Sequence, residues 1–553
     1  MRPGNSRSVQ HYPIDAPHLR PCRKIIRMKA IASENPYDKV PYPNWTHRDT
    51  HPRQLEFVAT LFGMQPTRIN NCRVLEIGCA AGWNLLPMAH DLPNSSFVGI
   101  DLAATQITEA RKLASEAGID NIRFEQADIL NVDATWGQFD YIVCHGIYSW
   151  VPENVREKIL AICKNNLTEN GVALVSYNVY PGWHFRGMIR DMMRFHVSGQ
   201  DDPDAQTTQA RAMLDFVATN APQDSAYTSI LKTELAEIEN EPDAQLFHEH
   251  LERINQPVYF HEFAAQSQAA GLQYLGDAQF SRMLTRSLSR NAQDALSGLP
   301  IVRQEQYMDF LRNRAFRRTL LCHQDVALDR NLHADDMRDF EFGMAVALRA
   351  DQIDLGSDDP VRFKIGETRL SSTEPIVKAA VKHLTGRWPD AMTFRSLHAA
   401  ASKSLLAPDQ PRSPSSGTDP LAQSEHILAS SLLAFLGAGL VHAWVHPPEA
   451  LSPLREKPVA SMLTRAQARR GNLVSNRRHQ QLKLNDTERH LIGLLDGEHD
   501  RTALVKDLRT AFGNGTMVIK AAGGNLTQAN DERLSTIVDQ ALAHLHDGAL
   551  LMS

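Results

Sequence analysis

The stretch Val74-Leu75-Glu76-Ile77-Gly78-Cys79-Ala80-Ala81-Gly82-Trp83-Asn84 constrains the fold of this chain more than any other. A short apolar run ends in an acidic residue, a Gly-x-x-x-Gly turn follows, and a helix-compatible segment comes next. A parallel strand enters a ligand-binding loop in this way in a doubly wound α/β sheet. Glycines let the backbone approach a nucleotide-like ligand that a Cβ would hold off. The helix that follows presents its free N–H groups to the same ligand.

The pattern repeats downstream. Residues 97–101 form a second apolar run that ends in Asp101, where a carboxylate can accept hydrogen bonds from both hydroxyls of a ribose. A third run starts at Ile122 and has Asp128 just past its end; a fourth, 139–144, leads into His145-Gly146; a fifth, 172–177, follows an Asn170-Gly171 turn. Helical patterns at 103–117, 153–166 and 185–197 fill the gaps. Alternating strands and helices predict a parallel sheet with right-handed crossovers.

Over roughly residues 45–200 this series resembles the class I S-adenosylmethionine (SAM) methyltransferase core. The Gly-x-Gly-x-x-Gly fingerprint of a nicotinamide dehydrogenase fails, because Ala80 and Trp83 stand where glycines would be needed. Ala80 also departs from the middle glycine of many methyltransferases, although alanine is the smallest replacement. The resemblance implies SAM as the cofactor. Its binding set would be Glu76, Gly78, Cys79, Ala80, Gly82 and Asn84 at the first turn, and Asp101 and Leu102 at the ribose. Asp128 and Ile129 would meet the adenine, and His145 and Gly146 would stand at the carboxyl edge. Each assignment has a plainer alternative. Glu76 could brace the turn's own N–H groups, the glycines could serve a tight turn alone, Asp101 and Asp128 could cap helices, and His145 could be a satisfied loop residue.

At 553 residues the chain is too long for one core, and about three or four domains are expected. A hydrophobic content of 42% and a charged content of 22% are those of a globular protein, and a net charge of −6 gives no general pull toward nucleic acid or anionic membrane. Six cysteines without paired or metal-like spacing suggest a reducing, cytoplasmic setting. The N-terminal residues carry Arg2, Arg7, Arg20, Arg23, Lys24 and Arg27 but no long apolar stretch, so a disordered extension is expected there rather than a secretory leader. Residues 427–444 are nearly all apolar, but Ser430, Ser431, Gly437, Gly439 and His442 interrupt them. They read as a buried helix, a glycine break and a short strand, with no membrane insertion.

Beyond the core, residues 201–240 are polar and helical. The run from His248 to Phe263 and the segment Gly271-Leu272-Gln273-Tyr274-Leu275 are similar to the methyltransferase regulatory domain of bacterial proteins. Residues 36–43 and 176–184 are similar to bacterial lysine methyltransferases that modify an outer-membrane surface protein. That family implies a dimer-forming middle region, a protein substrate and C-terminal modules. A faint internal repeat, around Leu432 and again around Leu542, predicts two units of three helices closed by a short strand, the winged-helix pattern. The expected division is a disordered extension (1–28), the methyltransferase domain (29–200), a regulatory and dimerisation domain (201–300), a helical connector (301–365), a winged-helix-like module (366–447), a linker (448–480) and a second such module (481–553). Winged helices raise the question of DNA. The expected second helix of the last module, however, sets Arg501, Lys506 and Arg509 against Asp500 and Asp507, an ordinary solvated face.

A lysine acceptor arrives as an ammonium and must lose a proton before it attacks. Aromatic walls can hold the cation, and a tyrosine or histidine can orient the amine. The residues placed for this after strands four and five are Tyr148, Trp150, Tyr180, Trp183 and His184, together with Tyr177, while Tyr37 and Tyr42 could close over them. His248, Glu249, His250, His261 and Glu262 invite a metal, but His-x-His spacing on a helix splits the two imidazoles, and methyl transfer needs no ion. A solvated helix face and inter-domain hydrogen bonds are the plainer reading. Methylation of a small molecule, and a SAM-sensing regulator without transfer activity, remain open beside protein methylation.

Overall fold

Five parallel strands and two added ones build a single sheet: β1 (Arg73–Ile77), β2 (Ser96–Asp101), β3 (Ile122–Gln126), β4 (Phe139–Cys144), β5 (Leu167–Asn178), β6 (Leu272–Asp277) and β7 (Phe316–His323). Their order is β3-β2-β1-β4-β5-β7-β6, with β7 antiparallel to both of its neighbours. The structure is a computed structural model, and it describes residues 40–346, 353–365, 368–405, 420–517, 520–521, 524–525 and 530–552. The expected extension over 1–28, Tyr37 and the Pro/Ser-rich loop at 407–419 lie outside these.

Alternation along the strands feeds two cores, one on each face. Val74, Phe97, Tyr141 and Val143 point to one, against α1 (Pro52–Leu61), α2 (Leu85–Asp91) and α3 (Ala104–Ala117). Leu75, Ile77, Ile142 and Cys144 point to the other, against α4 (Glu153–Asn165). The expected Asn170-Gly171 turn is absorbed into β5, where the pairing with β4 shifts register between Phe139 and Tyr141.

Two expected boundaries move. The methyltransferase sheet does not stop near residue 200, because β6 and β7 complete it after an excursion through α5 (Gly182–His196), α6 (Pro203–Asn220) and α7 (Ala226–Ile238). Those helices share a small core of their own around Met193, Leu214 and Leu231. The connector expected to be helical over 301–365 carries strands as well as helix among its described residues. After α8 (Phe260–Ala269) and α9 (Ile301–Arg312) come β7, β8 (Glu341–Met344) and β9 (Val361–Ile365). The cause is Arg317, a buried charge in what reads as a polar segment. It lies on β7 with no exposed surface, pairs with Asp309 and Glu305 at 2.8 Å each, and sits 3.9 Å from the centre of the Phe260 ring. This network fastens α9 to the new strand.

The two C-terminal modules follow the expected pattern. The first packs α10 (Pro375–Gly386), α11 (Phe394–Leu405) and α12 (Pro420–Gly437) on a three-stranded sheet in which β10 (Val441–Trp444) pairs with β8; it shares the core of the methyltransferase sheet. The second packs α14 (Asp486–Leu494), α15 (Arg501–Gly513) and α16 (Asp531–Asp547) around a separate core. The expected linker is not free. Its α13 (Met462–Arg470) lies on α3, and Arg470 bonds Glu109 and Glu116, 2.5 and 2.8 Å away. Arg477 and Arg478 pair with Glu449 and Asp390, tying this segment to the first module and the chain that follows it. Among the described residues no helix is long and apolar enough to cross a membrane.

Removing one member of a buried ion network strands the others in low dielectric. Arg317→Ala is therefore expected to lower stability by ~3–5 kcal/mol. Denaturant unfolding compared with wild type checks this, and an unchanged midpoint contradicts it.

Candidate active site

At the carboxyl end of β1 the chain reverses through Gly78 (φ +75°), Ala80 (φ +44°) and Gly82 (φ +75°). The N–H groups of Gly78 and Cys79 both donate to the Ile100 carbonyl, at 2.8 and 3.0 Å, and Gly82 N–H donates to the Cys79 carbonyl at 2.9 Å. A Cβ on Gly78 would collide with Ile147, and one on Gly82 would lie 2.6 Å from Phe124 Cζ, so packing and φ both demand glycine. Ala80 holds the same left-handed conformation with a Cβ, at a cost of ~1–2 kcal/mol. Its N–H donates to Asp101 Oδ2 at 2.9 Å, while Ala103 N–H donates to Oδ1 at 2.9 Å. Asp101 thus pins the turn from the end of β2. A carboxylate has about four acceptor positions, so these two N–H groups do not exhaust its chemistry.

This turn floors a cavity of about 300 Å³. Glu76 and Asn84 stand in it side by side. Asn84 Nδ2 donates to Glu76 Oε1 at 2.6 Å and to Thr50 Oγ1 at 3.0 Å. Its Oδ1 accepts from His47 N–H at 2.8 Å and from His479 Nε2 at 3.0 Å. His479 belongs to the C-terminal module, so the far end of the chain touches the loop that opens the site. Glu76 Oε2 is buried and has no partner among the described residues. Burial pushes its carboxyl up to about 8; the Asn84 hydrogen bond opposes the shift and the Asp101 charge adds to it. His145 also lines the cavity, its ring 4.0 Å from that of His47 and its Nδ1 buried without a partner among the described residues. Burial, His47 and Arg318 hold His145 well below its ordinary value, and burial with Arg318 takes His47 to about 4. Both imidazoles are neutral near pH 7 and do not repel a cation.

The same cavity is also aromatic and acidic. Tyr42, Trp45, Trp150 and Trp183 line it, the last two edge to face with ring centres 6.2 Å apart. Glu241, Gln245, Glu249, His250, Asn178 and Phe316 line it too. Four carboxyl groups (Glu76, Asp101, Glu241 and Glu249) therefore face the cavity, against one lining arginine, Arg186, which is paired with Glu234 and Glu237. A pyrophosphate would be repelled here. A ligand carrying a sulfonium and an ammonium suits the cavity, and the open side of Gly146, where an added Cβ would meet nothing within 4 Å, leaves it room.

The structure therefore brings Glu76, Gly78, Cys79, Ala80, Asn84, Asp101, His145, Gly146, Trp150 and Trp183 to one cavity. It does not bring all the expected residues there. Gly82 lies behind the turn against Phe124. Leu102 is exposed, and Asp128 Oδ1 accepts from Leu130 N–H, capping a short turn that includes the half-buried Ile129. Tyr148 is buried behind the sheet edge and donates to Gln266 Oε1 at 2.7 Å, so as a core residue it cannot touch an acceptor. Tyr177 is buried too, hydrogen-bonded to Thr319. Tyr180 stacks on His184 at 4.1 Å, and both lean on Tyr259 outside the lining. The solvated-face reading of His248 and His250 is overturned, because both are buried. His248 bonds the Val40 carbonyl and holds the segment that carries Tyr42. Among the described residues no group of three or more His, Cys, Asp or Glu is placed to hold a metal ion. Trp45, His47, Arg186, Glu241 and His479 are not legible as site residues, since each is delivered by tertiary packing from a segment without a motif, and Asn178, although within the 176–184 stretch, is not singled out by it.

Comparison with known proteins agrees with this geometry. A family model described as "Methyltransferase domain" matches residues 69–234, "Predicted methyltransferase regulatory domain" matches 242–323, and "PKMT, C-terminal winged helix domain" matches 456–550. An uncharacterised protein of Rickettsia prowazekii (strain Madrid E) is 33% identical over 513 residues, 91% of each chain. The structure of PKMT2 from Rickettsia typhi is 30% identical with a TM-score of 0.82, covering 93% of this chain and all of that one. Its complex with AdoHcy is 31% identical with a TM-score of 0.83, covering 92% and 100%.

Two outcomes follow from the Glu76–Asn84–His479 contact. The folded protein keeps on Glu76 a proton that the unfolded chain releases above its ordinary value of 4.5, so stability should fall as pH rises from about 4.5 toward 8. Unfolding midpoints across that range should show a shallower fall in Glu76→Gln, and parallel slopes contradict the assignment. His479→Ala, which removes one partner of Asn84, is expected to cost about 1 kcal/mol. Thermal unfolding reads this loss, and an unchanged midpoint speaks against the contact.

Proposed function

This chain belongs to the family of SAM-dependent methyltransferases that includes PKMT2 of Rickettsia typhi, and from that premise we propose that it methylates lysine side chains of a protein substrate. One observation carries the reading: a single cavity joins the glycine turn and its carboxylates to an aromatic, acidic chamber. SAM supplies a methyl carbon already made electrophilic by the sulfonium. The chain's task is to align acceptor and donor and to exclude water, and such alignment can supply ~7–11 kcal/mol in favourable systems.

In this reading Asp101 accepts from the ribose hydroxyls, and the unpartnered oxygen of Glu76 receives the amino group of the methionine portion. Asp128, whose cap uses only one oxygen, meets the adenine with Leu102 and Ile129 beside it. Trp150, Trp183 and Tyr42 enclose the methylene stem and cationic head of the acceptor, each aromatic contact contributing ~0.5–2 kcal/mol. Tyr180 and His184, stacked outside the lining, border the entrance.

The reading is tested by incubating the protein with methyl-labelled SAM and host-cell lysate. Label recovered as methyl-lysine from hydrolysed protein supports it; label confined to small molecules overturns the acceptor; SAM binding without any transfer points to a regulator. Asp101→Ala should weaken SAM binding by ~1.5–3 kcal/mol, about 10- to 150-fold in Kd, through loss of charged hydrogen bonds. Calorimetric titration checks this, and an unchanged affinity removes the ribose assignment.

A further inference from the structure

Glu249 is a carboxylate that the donor end does not use. It lies in a π turn, Phe247–Leu251, between the buried imidazoles of His248 and His250. Such turns insert one residue into a helical turn and re-aim their side chains, often at functional sites. Glu249 lines the acceptor end of the cavity together with Tyr42, Trp150 and Trp183. Among the described residues no hydrogen bond or ion pair reaches its carboxylate. Beside it stands Glu241, which lines the same wall and has one buried oxygen without a partner. Two half-buried carboxyls in a cavity also lined by Tyr42, Trp150 and Trp183 suit an organic cation.

The other groups facing this chamber are poor bases. The Tyr42 phenol is pushed far above its ordinary value by burial and by Glu249 and Glu241. Burial and the charges of Arg186, Arg190 and Arg211 bring His250 down to about 3. His248 is committed on both ring nitrogens, to Glu252 and to the Val40 carbonyl. Arg186, on α5, lines the cavity as a cation, and Arg190 on the same helix is buried behind it against the His250 and Glu252 carbonyls. Burial brings Glu249 up to about 7, against the pull of Arg186 and with the help of Glu241. A base is most effective when its pKa lies near the working pH.

We propose that Glu249, with Glu241 beside it, binds the acceptor's ammonium group and takes its proton. This rests on the lysine reading above. In the step, one N–H bond of the ammonium breaks and its proton moves to the Glu249 carboxylate, giving a carboxylic acid and a neutral amine. The amine lone pair then forms the N–C bond while the C–S bond breaks and its electrons remain on sulfur. The products are a methylated ammonium and S-adenosylhomocysteine, and Glu249 returns its proton to solvent. A second methyl transfer repeats the same deprotonation on the methylated ammonium.

The test uses the full chain, as wild type, Glu249→Gln and Glu249→Asp, with two probes. The first is n-butylammonium, a lysine side chain without its backbone, titrated by NMR into the AdoHcy complex. Its binding should strengthen as pH rises through about 7, and Glu249→Gln should weaken it about tenfold and abolish that pH dependence, with AdoHcy affinity unchanged. The second is poly-L-lysine with methyl-labelled SAM. Glu249→Gln should lower kcat/KM about 100-fold or more and remove the limb of the pH profile near 7, and Glu249→Asp should restore part of both. Butylammonium binding that ignores the substitution, or transfer with an unaltered pH profile in Glu249→Gln, overturns the proposal. Glu249-dependent butylammonium binding in a protein that methylates no lysine would leave the cation site standing and sink the lysine reading instead.

Discussion

The grip of Asp101 on the turn after β1 is the constraint on which the rest of the site depends. One carboxylate accepts from the N–H of Ala80 and of Ala103, and so ties the ends of two neighbouring strands together. It holds Ala80 in a conformation that alanine disfavours, and the turn stays open beneath the cavity. The parallel sheet brings the Ile100 carbonyl to the N–H groups of Gly78 and Cys79, so the loop is anchored from β2 on both its backbone and its acidic side. Register between β1 and β2 therefore decides whether a binding turn exists at all.

A second layer of contacts recruits distant parts of the chain. Asn84 collects Glu76 from β1, His47 and Thr50 from the N-terminal segment, and His479 from the last module. The same N-terminal segment gives Tyr42 to the opposite chamber and is held there by His248. The cavity is thus lined by the N-terminal segment, the sheet edge and the regulatory segment, with His479 behind it on Asn84. The concentration of carboxyl groups, with neutral imidazoles and little free positive charge, gives the whole cavity its preference for cations.

Much of this was readable from residue order. The Glu76–Asn84 turn, Asp101 and His145-Gly146 announce themselves because strand period, glycine spacing and strand-end acids are local signals. The three-helix pattern of each C-terminal module is legible for the same reason. The limits were equally physical. β7 could not be read as a strand of the main sheet, because the burial of Arg317 depends on Asp309, Glu305 and Phe260 meeting it in space. Tyr148 and Trp150 sit two residues apart after the same strand, yet one faces the core and the other the cavity. Glu249 looked like a solvated charge, since a π turn that swings it inward leaves no mark in composition.

A crystal structure of the full chain with AdoHcy bound is the most direct measurement of the central idea, that an acidic cavity at the carboxyl edge of the sheet cradles the methyl donor beside an aromatic chamber. The account predicts the ribose hydroxyls against Asp101, the amino group against Glu76, and the sulfur facing Trp150 and Trp183. AdoHcy bound elsewhere, or bound with its sulfur turned away from that chamber, would contradict it.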